Sequence, residues 1–365
     1  MYNVAIIGCG RISHKIAEGI AKNHDRMRLV ALCDPIEEKM FETEKTYNKK
    51  IENELSLLKY KDYKEILKQN KIDIAIISTE SGYHEEIGLY FLENGVNLIV
   101  EKPLAMSIEG AQKLVDTAKK NNLKLAASHQ NRFNYPIQLL KKAIKENKLG
   151  KIFNGMARIL WTRDDNYYLQ APWRGTWALD GGTLMNQCIH NIDLINWMMD
   201  DEIDTIYSQT SNYIRNIEAE DYGVILIRYK SGKIATIEGS AIVYPKNLEE
   251  TLTITGEKGT VVIGGMAVNK INTWRVEGDN ETEFLSIDCG DPNSVYGYGH
   301  EALYKDFVDA LDENREPLVN GKAGLEAVKI ILAAYKSQKT GLPIKISEFN
   351  KFSTLDMEKK DVKYL

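Results

Sequence analysis

The sequence is short of features that tie a chain to a membrane, a metal or an oxidising compartment. Its 365 residues hold 4 cysteines, Cys9, Cys33, Cys188 and Cys289, scattered with no Cys-x-x-Cys pair. Reduced, buried thiols are therefore expected, not a disulfide framework or a zinc site. No uncharged apolar run approaches the roughly 20 residues that span a bilayer. Met1 leads straight into the apolar run Val4-Ala5-Ile6-Ile7 without a basic leader, which reads as a first strand and not as a signal peptide. The 6 histidines are dispersed and none forms a ligand pair at helical spacing with a third partner, so no metal is expected. No Ser-His or Cys-His arrangement reads as a nucleophile, and repeats and low-complexity tracts are absent. A net charge of -5 argues against non-specific binding to nucleic acid or anionic membrane, while leaving room for a local basic pocket. What remains is a cytosolic globular protein, long enough for two domains, with a small molecule as partner.

The first third of the chain alternates strand and helix patterns. Residues 3–7 read as a buried strand followed by Gly8-Cys9-Gly10-Arg11-Ile12-Ser13 and a helix to about Ala21. In a dinucleotide fingerprint, Gly8 permits the tight turn, Gly10 lets the backbone approach a pyrophosphate, and small Ser13 lets helix and strand pack closely. Gly8, Gly10, Arg11 and Ile12 then border the helix N-terminus that faces the phosphates. The alternative is a plain glycine turn. A second apolar strand, Leu29 to Cys33, ends in Asp34, where a ribose-binding acid belongs; it favours NAD over NADP because a carboxylate repels a 2'-phosphate. Asp34 as a turn starter before Pro35 is the competing reading.

The strand Ile72 to Ile77 ends in Ser78-Thr79, which lie where ligands bind in parallel sheets. His84, on the next helix, is either a cofactor neighbour or a helix-surface residue. Strand Asn97 to Val100 ends in Glu101-Lys102-Pro103. A lysine there points into the ligand crevice, where a desolvated ammonium can act as base or donor. One more strand, Leu123 to Ala127, completes the sheet. Residues 1–129 are assigned to an α/β Rossmann domain that binds NAD, and residues 130–365 to a second α/β domain.

From Lys151 the pattern turns to period-two runs: residues 152–161, 205–213, 223–229, 234–243, 250–255 and 260–263. They predict a large, mostly antiparallel sheet. Inserted in it, the segment Pro172 to Asp193 packs two tryptophans, a glycine pair and many polar residues, and reads as an active-site wall. After Gly181-Gly182, Leu184, Cys188, Ile192 and Ile195 mark a buried helical stripe. Asn186, His190 and Asp193 follow on an adjacent face that can reach a cleft.

With Gly8-Cys9-Gly10, Glu101-Lys102-Pro103 and Asn186 to His190 in that order, the chain resembles the glucose-fructose oxidoreductase / inositol dehydrogenase (Gfo/Idh/MocA) family over nearly its whole length. The resemblance implies an NAD enzyme oxidising a sugar alcohol, with Lys102 and His190 beside the nicotinamide and the reacting carbon. It further implies Trp173-Arg174 near the cofactor and a sheet face that makes a dimer or tetramer. A closer likeness is to the UDP-N-acetylglucosaminuronate 3-dehydrogenases, on Tyr167-Tyr168, Ala171 to Trp177, Leu184 to Gln187, Tyr244 to Glu249 and Tyr296 to His300. Many family members have Asp where this chain has Asn186, and an amide cannot relay a proton, which shifts the acid-base work onto Lys102 and His190. Asn186 is left to orient the hydroxyl or the N-acetyl group.

A UDP-sugar substrate needs cations. Arg163 is the candidate for its carboxylate unless it pairs with Asp164 or Asp165. Lys246 and Asn247 are candidates for the diphosphate or uridine unless they form a solvated loop, with Tyr168, Tyr298 and His300 completing the pocket. Trp161, Trp177 and Trp197 are expected to pack. The subgroup likeness also implies NADH reoxidised in place by 2-oxoglutarate. Rival readings are an inositol or simple-sugar dehydrogenase, an NAD-dependent glycoside hydrolase and a non-catalytic sensor, which would need neither Lys102 nor His190.

Overall fold

The computed structural model describes residues 1–290 and 297–358; Tyr296 lies outside the described residues. The chain divides into two compact units, Met1–Gln130 with His300–Leu325, and Asn131–Gly299 with Glu326–Leu365.

The first unit alternates β1 (Tyr2–Ile7), α1 (Ser13–Lys22), β2 (Met27–Cys33), α2 (Glu37–Ile51), β3 (Leu58–Tyr60), α3 (Ile66–Gln69), β4 (Ile74–Ile77), α4 (His84–Glu93), β5 (Asn97–Val100), α5 (Ile108–Lys120) and β6 (Leu125–Ala127). Its sheet runs β3-β2-β1-β4-β5-β6 with every neighbouring pair parallel. All four residues of β4 and the last four of β1 are buried, the near-continuous apolar run of strands covered on both faces. Chain order reverses between β1 and β4, so a crevice opens at their carboxyl ends. The three-residue edge strand β3, whose Leu58 is exposed, is too short to register as a sequence pattern.

The second unit holds α6 (Tyr135–Lys145), β7 (Ile152–Leu160), α7 (Asp165–Leu169), α8 (Thr183–Asn186), α9 (Ile189–Met199), β8 (Ile203–Ser211), β9 (Tyr222–Tyr229), β10 (Ile234–Ser240), β11 (Glu249–Gly256), β12 (Gly259–Gly264), β13 (Lys270–Val276) and α10 (Glu281–Leu285). The sheet order is β13-β12-β11-β7-β10-β9-β8-β14, where β14 is Ile344–Lys345. Of its pairs, β7 with β10 is parallel and the others are antiparallel, so the sheet is mostly antiparallel as expected. The sequence pattern does not reveal β13, because its buried residues, Ile271, Trp274 and Val276, change parity at a register shift opposite Val262 and Ile263. A strict two-residue alternation is lost there.

Helix α11 (Gly299–Asp312) corrects the expected division at residue 130, because from His300 it belongs to the first unit. Arg26 pairs with both Asp309 and Asp312, and Asn320 bridges to Ala126 beside β6. The ring of Tyr304 lies where a Cβ on Gly19 would sit, 2.6 Å from its nearest atoms. The last helix, α12 (Gly321–Thr340), places Ser337 and Tyr335 in the second unit, where the Ser337 hydroxyl accepts from Ser208 N at 3.1 Å.

The continuous helix expected after Gly182 is broken. Both Gln187 and Cys188 keep helical backbone angles, yet the Cys188 amide reaches back to Thr183 O at 2.9 Å, a widened turn that separates α8 from α9. The expected alignment of Asn186, His190 and Asp193 fails with it. Asp193 is buried and accepts from Arg132 Nε and Nη2 at 2.7 and 2.6 Å. The Arg132 guanidinium also lies over Trp197 at 4.8 Å, and Lys141 covers the same ring while donating to Trp197 O at 2.6 Å. This cluster is a structural brace. Replacing Asp193 alone (Asp193→Ala) strands a buried cation and should cost roughly 3–5 kcal/mol in urea unfolding. The paired change Arg132→Met with Asp193→Leu should recover most of that loss.

Candidate active site

Each unit carries one set of site residues, and each set is built by its own local constraints. In the first unit Gly8 adopts φ +93°, and a Cβ there would lie 2.6 Å from backbone atoms of Ser78 and Thr79. The turn packs directly on the end of β4, and the Ser78 hydroxyl donates to Gly8 O at 2.7 Å. Gly10 differs: a Cβ built on it has no protein atom within 4 Å. The space is open, so the side chain is absent in favour of something the protein itself does not supply. Beyond it, α1 has no side-chain cap at Ile12 and no acid in its first turn. A helix start left uncapped beside an open glycine fits a diphosphate. Ser13 is buried and its hydroxyl donates to Gly10 O at 2.7 Å, closing the turn. Arg11 is exposed and Ile12 half-buried on the rim of this cradle.

Asp34 is the turn starter of one sequence reading, and it makes a second bond as well. One carboxylate oxygen accepts from Ile36 N at 2.9 Å, the turn-starting bond, and the other accepts from Cys9 N at 2.8 Å. It thus ties the end of β2 to the glycine loop.

His84 does not fit the helix-surface reading. At 1% exposure it is no surface residue, and its ring is sealed between backbone carbonyls, with Nδ1 2.7 Å from Pro103 O and Nε2 3.2 Å from Thr79 O. Burial pushes its pKa down, which favours the neutral ring. The ring packs between the Ser78-Thr79 loop and the Glu101-Lys102-Pro103 loop, and in its neutral form its one N–H donates to one of the two carbonyls. Glu101 is buried, and desolvation raises its carboxyl to about 7 against the opposing pull of the Lys102 charge. Lys102 is half-buried and Thr79 partly exposed, so both keep a face to solvent.

His300, expected at the substrate, is only 5% exposed in the first turn of α11, and burial lowers its pKa to about 4. Its imidazole is buried, and desolvation disfavours the charged form.

In the second unit the wall from Pro172 onward is held by carboxylates that carry no family motif. Glu220 O accepts from Thr183 N at 3.0 Å, and Glu220 Oε1 accepts from Leu184 N at 2.8 Å and from the Tyr335 hydroxyl at 3.0 Å. Two of the orphan amides that start α8 are therefore satisfied by a residue 36 positions away. Gly182 is needed there because a Cβ would come within 1.9 Å of Glu220 Oε2. Burial raises the Glu220 carboxyl to about 8, against the opposing bonds from Leu184 N and the Tyr335 hydroxyl. Ahead of the glycine pair, Asp180 accepts from Gly175 N at 2.8 Å and from the Asn186 amide nitrogen. His190 is half-buried at the start of α9.

Arg163 does not form the ion pairs with Asp164 or Asp165 that the sequence left open. Asp164 caps α7 through Tyr167 N at 2.9 Å, and Asp165 pairs with Arg215 at 3.3 Å. The Arg163 guanidinium instead stacks over Trp161 and Tyr167 at 4.7 and 5.3 Å, with Nη1 donating to Thr162 O at 2.7 Å. Glu250, buried on β11, is raised to about 8 by desolvation, against which the Arg163 charge acts only in part. Arg174 lies between the rings of Tyr167 and Trp173 at 4.3 and 4.5 Å and donates to the Tyr167 hydroxyl at 2.8 Å. Tyr167 is thus the hub under both arginines, whereas the sequence singled out Tyr168, its edge-on neighbour at 5.1 Å. Trp161 and Trp177 are buried packing residues, as expected.

Asn247 is exposed, but its amide oxygen accepts from Thr162 N at 2.9 Å and pins the loop beside Arg163. Lys246 is exposed on the same loop and Tyr298 is 57% exposed. Among the described residues no group of three or more His, Cys, Asp or Glu could hold a metal ion. No helix among them is long and apolar enough to cross a membrane.

Residues 2–129 match a family model described as an oxidoreductase family with an NAD-binding Rossmann fold, and residues 137–262 match the GFO/IDH/MocA C-terminal domain. The chain belongs to the Gfo/Idh/MocA family. Among solved members of that family, the WlbA dehydrogenase of Bordetella pertussis in complex with NADH and UDP-GlcNAcA is 32% identical, with a TM-score of 0.84 over 94% of this chain and 98% of that one. The WlbA dehydrogenase of Chromobacterium violaceum, also in complex with NADH and UDP-GlcNAcA, is 32% identical with a TM-score of 0.83, covering 94% of this chain and 95% of that one. Among curated family members, the myo-inositol 2-dehydrogenase of Thermotoga maritima is 24% identical over 94% of this chain and 98% of its own length. This Gfo/Idh/MocA chain is an NAD-dependent oxidoreductase, and NAD is its cofactor.

The cradle at Gly10 gives a direct check. In Gly10→Ala the new methyl has no protein atom within 4 Å, so the unfolding midpoint should stay at the wild-type value. NADH affinity, read by fluorescence titration, should fall at least about tenfold, or about 1.4 kcal/mol.

Proposed function

We propose that the chain oxidises the 3-hydroxyl of a UDP-linked N-acetylated glucosaminuronate to the 3-keto sugar, a step in building surface polysaccharide. The reading rests on the 32% identity, over 94% of the chain, to a dehydrogenase structure that contains NADH and UDP-GlcNAcA. At a coarser level the enzyme acts on a hydroxyl of a sugar or nucleotide sugar.

Oxidation of a secondary alcohol removes a hydride from carbon and a proton from oxygen. Bound NAD supplies the hydride acceptor at the nicotinamide C4. The protein has to hold the cofactor, orient the sugar and take the proton. Gly8 and Gly10 shape the diphosphate turn, Asp34 takes the ribose, and Ser78, Thr79 and Glu101 border the same crevice. Lys102 and His190 share the proton at the 3-hydroxyl, one as base and the other as donor. Asn186 orients the sugar. Arg163, held flat on two aromatic rings, presents its fork to the uronate carboxylate. Lys246, Asn247, Tyr168 and Tyr298 are assigned to the nucleotide end, with Trp173 and Arg174 lining the cofactor side. In this reading 2-oxoglutarate serves as the acceptor that returns NADH to NAD.

The open face of the second unit's sheet supports a homodimer or homotetramer. Tyr207 stands opposite Leu226, and Met156, Val224 and Ile234 are likewise exposed on these central strands. Apolar strand residues left uncovered call for a partner surface.

Purified protein, NAD and UDP-N-acetylglucosaminuronate should give a dehydrogenated product by mass spectrometry, in greater amount with 2-oxoglutarate present. Lys102→Ala and His190→Asn should each lower the rate by roughly 10²–10⁴-fold. Oxidation of inositol or a free sugar in place of the UDP-sugar would assign the chain to the simple-sugar dehydrogenases.

A further inference from the structure

Asn186 is an amide where a carboxylate is expected, but a carboxylate stands beside it. The Nδ2 group of Asn186 donates to Asp180 Oδ1, across the turn made by Gly181 and Gly182. Asp180 is 3% exposed and cannot swing away, because its other oxygen holds the Gly175 amide at 2.8 Å and its own backbone amide donates to Thr176 O at 3.1 Å. Gly175 is itself confined, since a Cβ there would meet Ile217 at 2.6 Å. Asp180 is therefore a fixed acceptor pointed at a side chain with one donor end and one acceptor end.

Both Asp180 oxygens accept, Oδ2 from Gly175 N and Oδ1 from the NH2 end of the Asn186 amide. The opposite end, Oδ1, is the one turned away from Asp180. We propose that Asp180 is a positioning residue that fixes the orientation of the Asn186 amide, so that the site offers an acceptor oxygen to the substrate and selects a sugar bearing an N–H or O–H donor next to the reacting carbon. The proposal rests on the dehydrogenase reading above, and it gives the acetamido group of an N-acetylated sugar a specific reader.

The side-chain chemistry makes the inference sharp, because isosteric exchange inverts it. In Asp180→Asn the new oxygen can still accept from Gly175 N, which leaves the new NH2 facing position 186. Asn186 must then turn its oxygen inward and its NH2 toward the substrate. In Asn186→Asp two carboxylates face each other. In the exchange Asp180→Asn with Asn186→Asp, the amide at position 180 accepts from Gly175 N and donates to the carboxylate at position 186, and an acceptor oxygen again meets the substrate.

The test measures kcat and KM for wild type, the two single variants and the exchanged pair, on the sugar that wild type oxidises and on its analogue lacking the neighbouring donor. NADH affinity and unfolding midpoint are measured alongside. Expected is a loss of roughly 10²-fold in kcat/KM for each single variant, reduced discrimination against the donor-less analogue in Asp180→Asn, and recovery of rate and discrimination in the exchanged pair. NADH affinity and unfolding midpoint should not change in Asp180→Asn. Wild-type rates in Asp180→Asn, losses that follow the unfolding midpoint, or an exchanged pair as poor as the two single losses combined would overturn the proposal. Failure of wild type to oxidise the UDP-sugar would instead refute the substrate assignment, and the variant ratios would then be read on the sugar or polyol it does oxidise.

Discussion

The contact between Glu220 and Gly182 is the constraint on which the substrate half depends. A carboxyl just ahead of β9 reaches the start of α8 and bonds Leu184 N, while its backbone oxygen bonds Thr183 N. A short helix of four residues has little stability of its own, since nucleation fixes several dihedrals for one hydrogen bond. Anchoring its first amides from the sheet supplies the order that length cannot. The absence of a side chain at Gly182 is the geometric condition for that approach. Everything downstream, Asn186 at the last position of α8 and His190 in the first turn of α9, takes its place from this anchor.

The nucleotide half follows the same principle with different chemistry. Gly8 is small because Ser78 and Thr79 crowd it, and Gly10 is small although nothing does. The first is a packing demand within the protein, and the second is room for a ligand. Between the cofactor loops, the buried imidazole of His84 spans the carbonyls of Thr79 and Pro103. Lys102 precedes Pro103 directly, so the brace that fixes Pro103 also limits where Lys102 can stand. In both halves, buried residues hold in register the residues assigned to touch a ligand.

Much of this is legible in the amino-acid order alone. The glycine fingerprint, Asp34, the strand ends at Ser78 and Glu101, and the switch to alternating patterns after Lys151 follow from local periodicity and spacing. What is illegible depends on contacts between distant positions. Nothing near Glu220 in sequence marks it as a buried anchor, whereas Asp180, an acid directly preceding Gly181-Gly182, carries a signal that can be read. The helix break at Gln187 and Cys188 is hidden because both residues keep helical angles, and a stripe drawn through it misplaces Asp193. His300 looks functional from its Gly-His context, yet it packs inside the first unit with α11. Tyr167 and Tyr168 are indistinguishable as neighbours in sequence, and only the stacking of Arg163 and Arg174 separates them.

The central claim is that hydride leaves carbon 3 of a UDP-linked N-acetylated uronate for NAD. The most direct measurement is a single turnover with substrate deuterated at that carbon, followed by mass analysis of the cofactor. The account requires the deuterium to appear on the reduced nicotinamide, with a primary isotope effect if transfer limits the rate. Deuterium retained in the sugar, or released to water with no reduced cofactor formed, would contradict it.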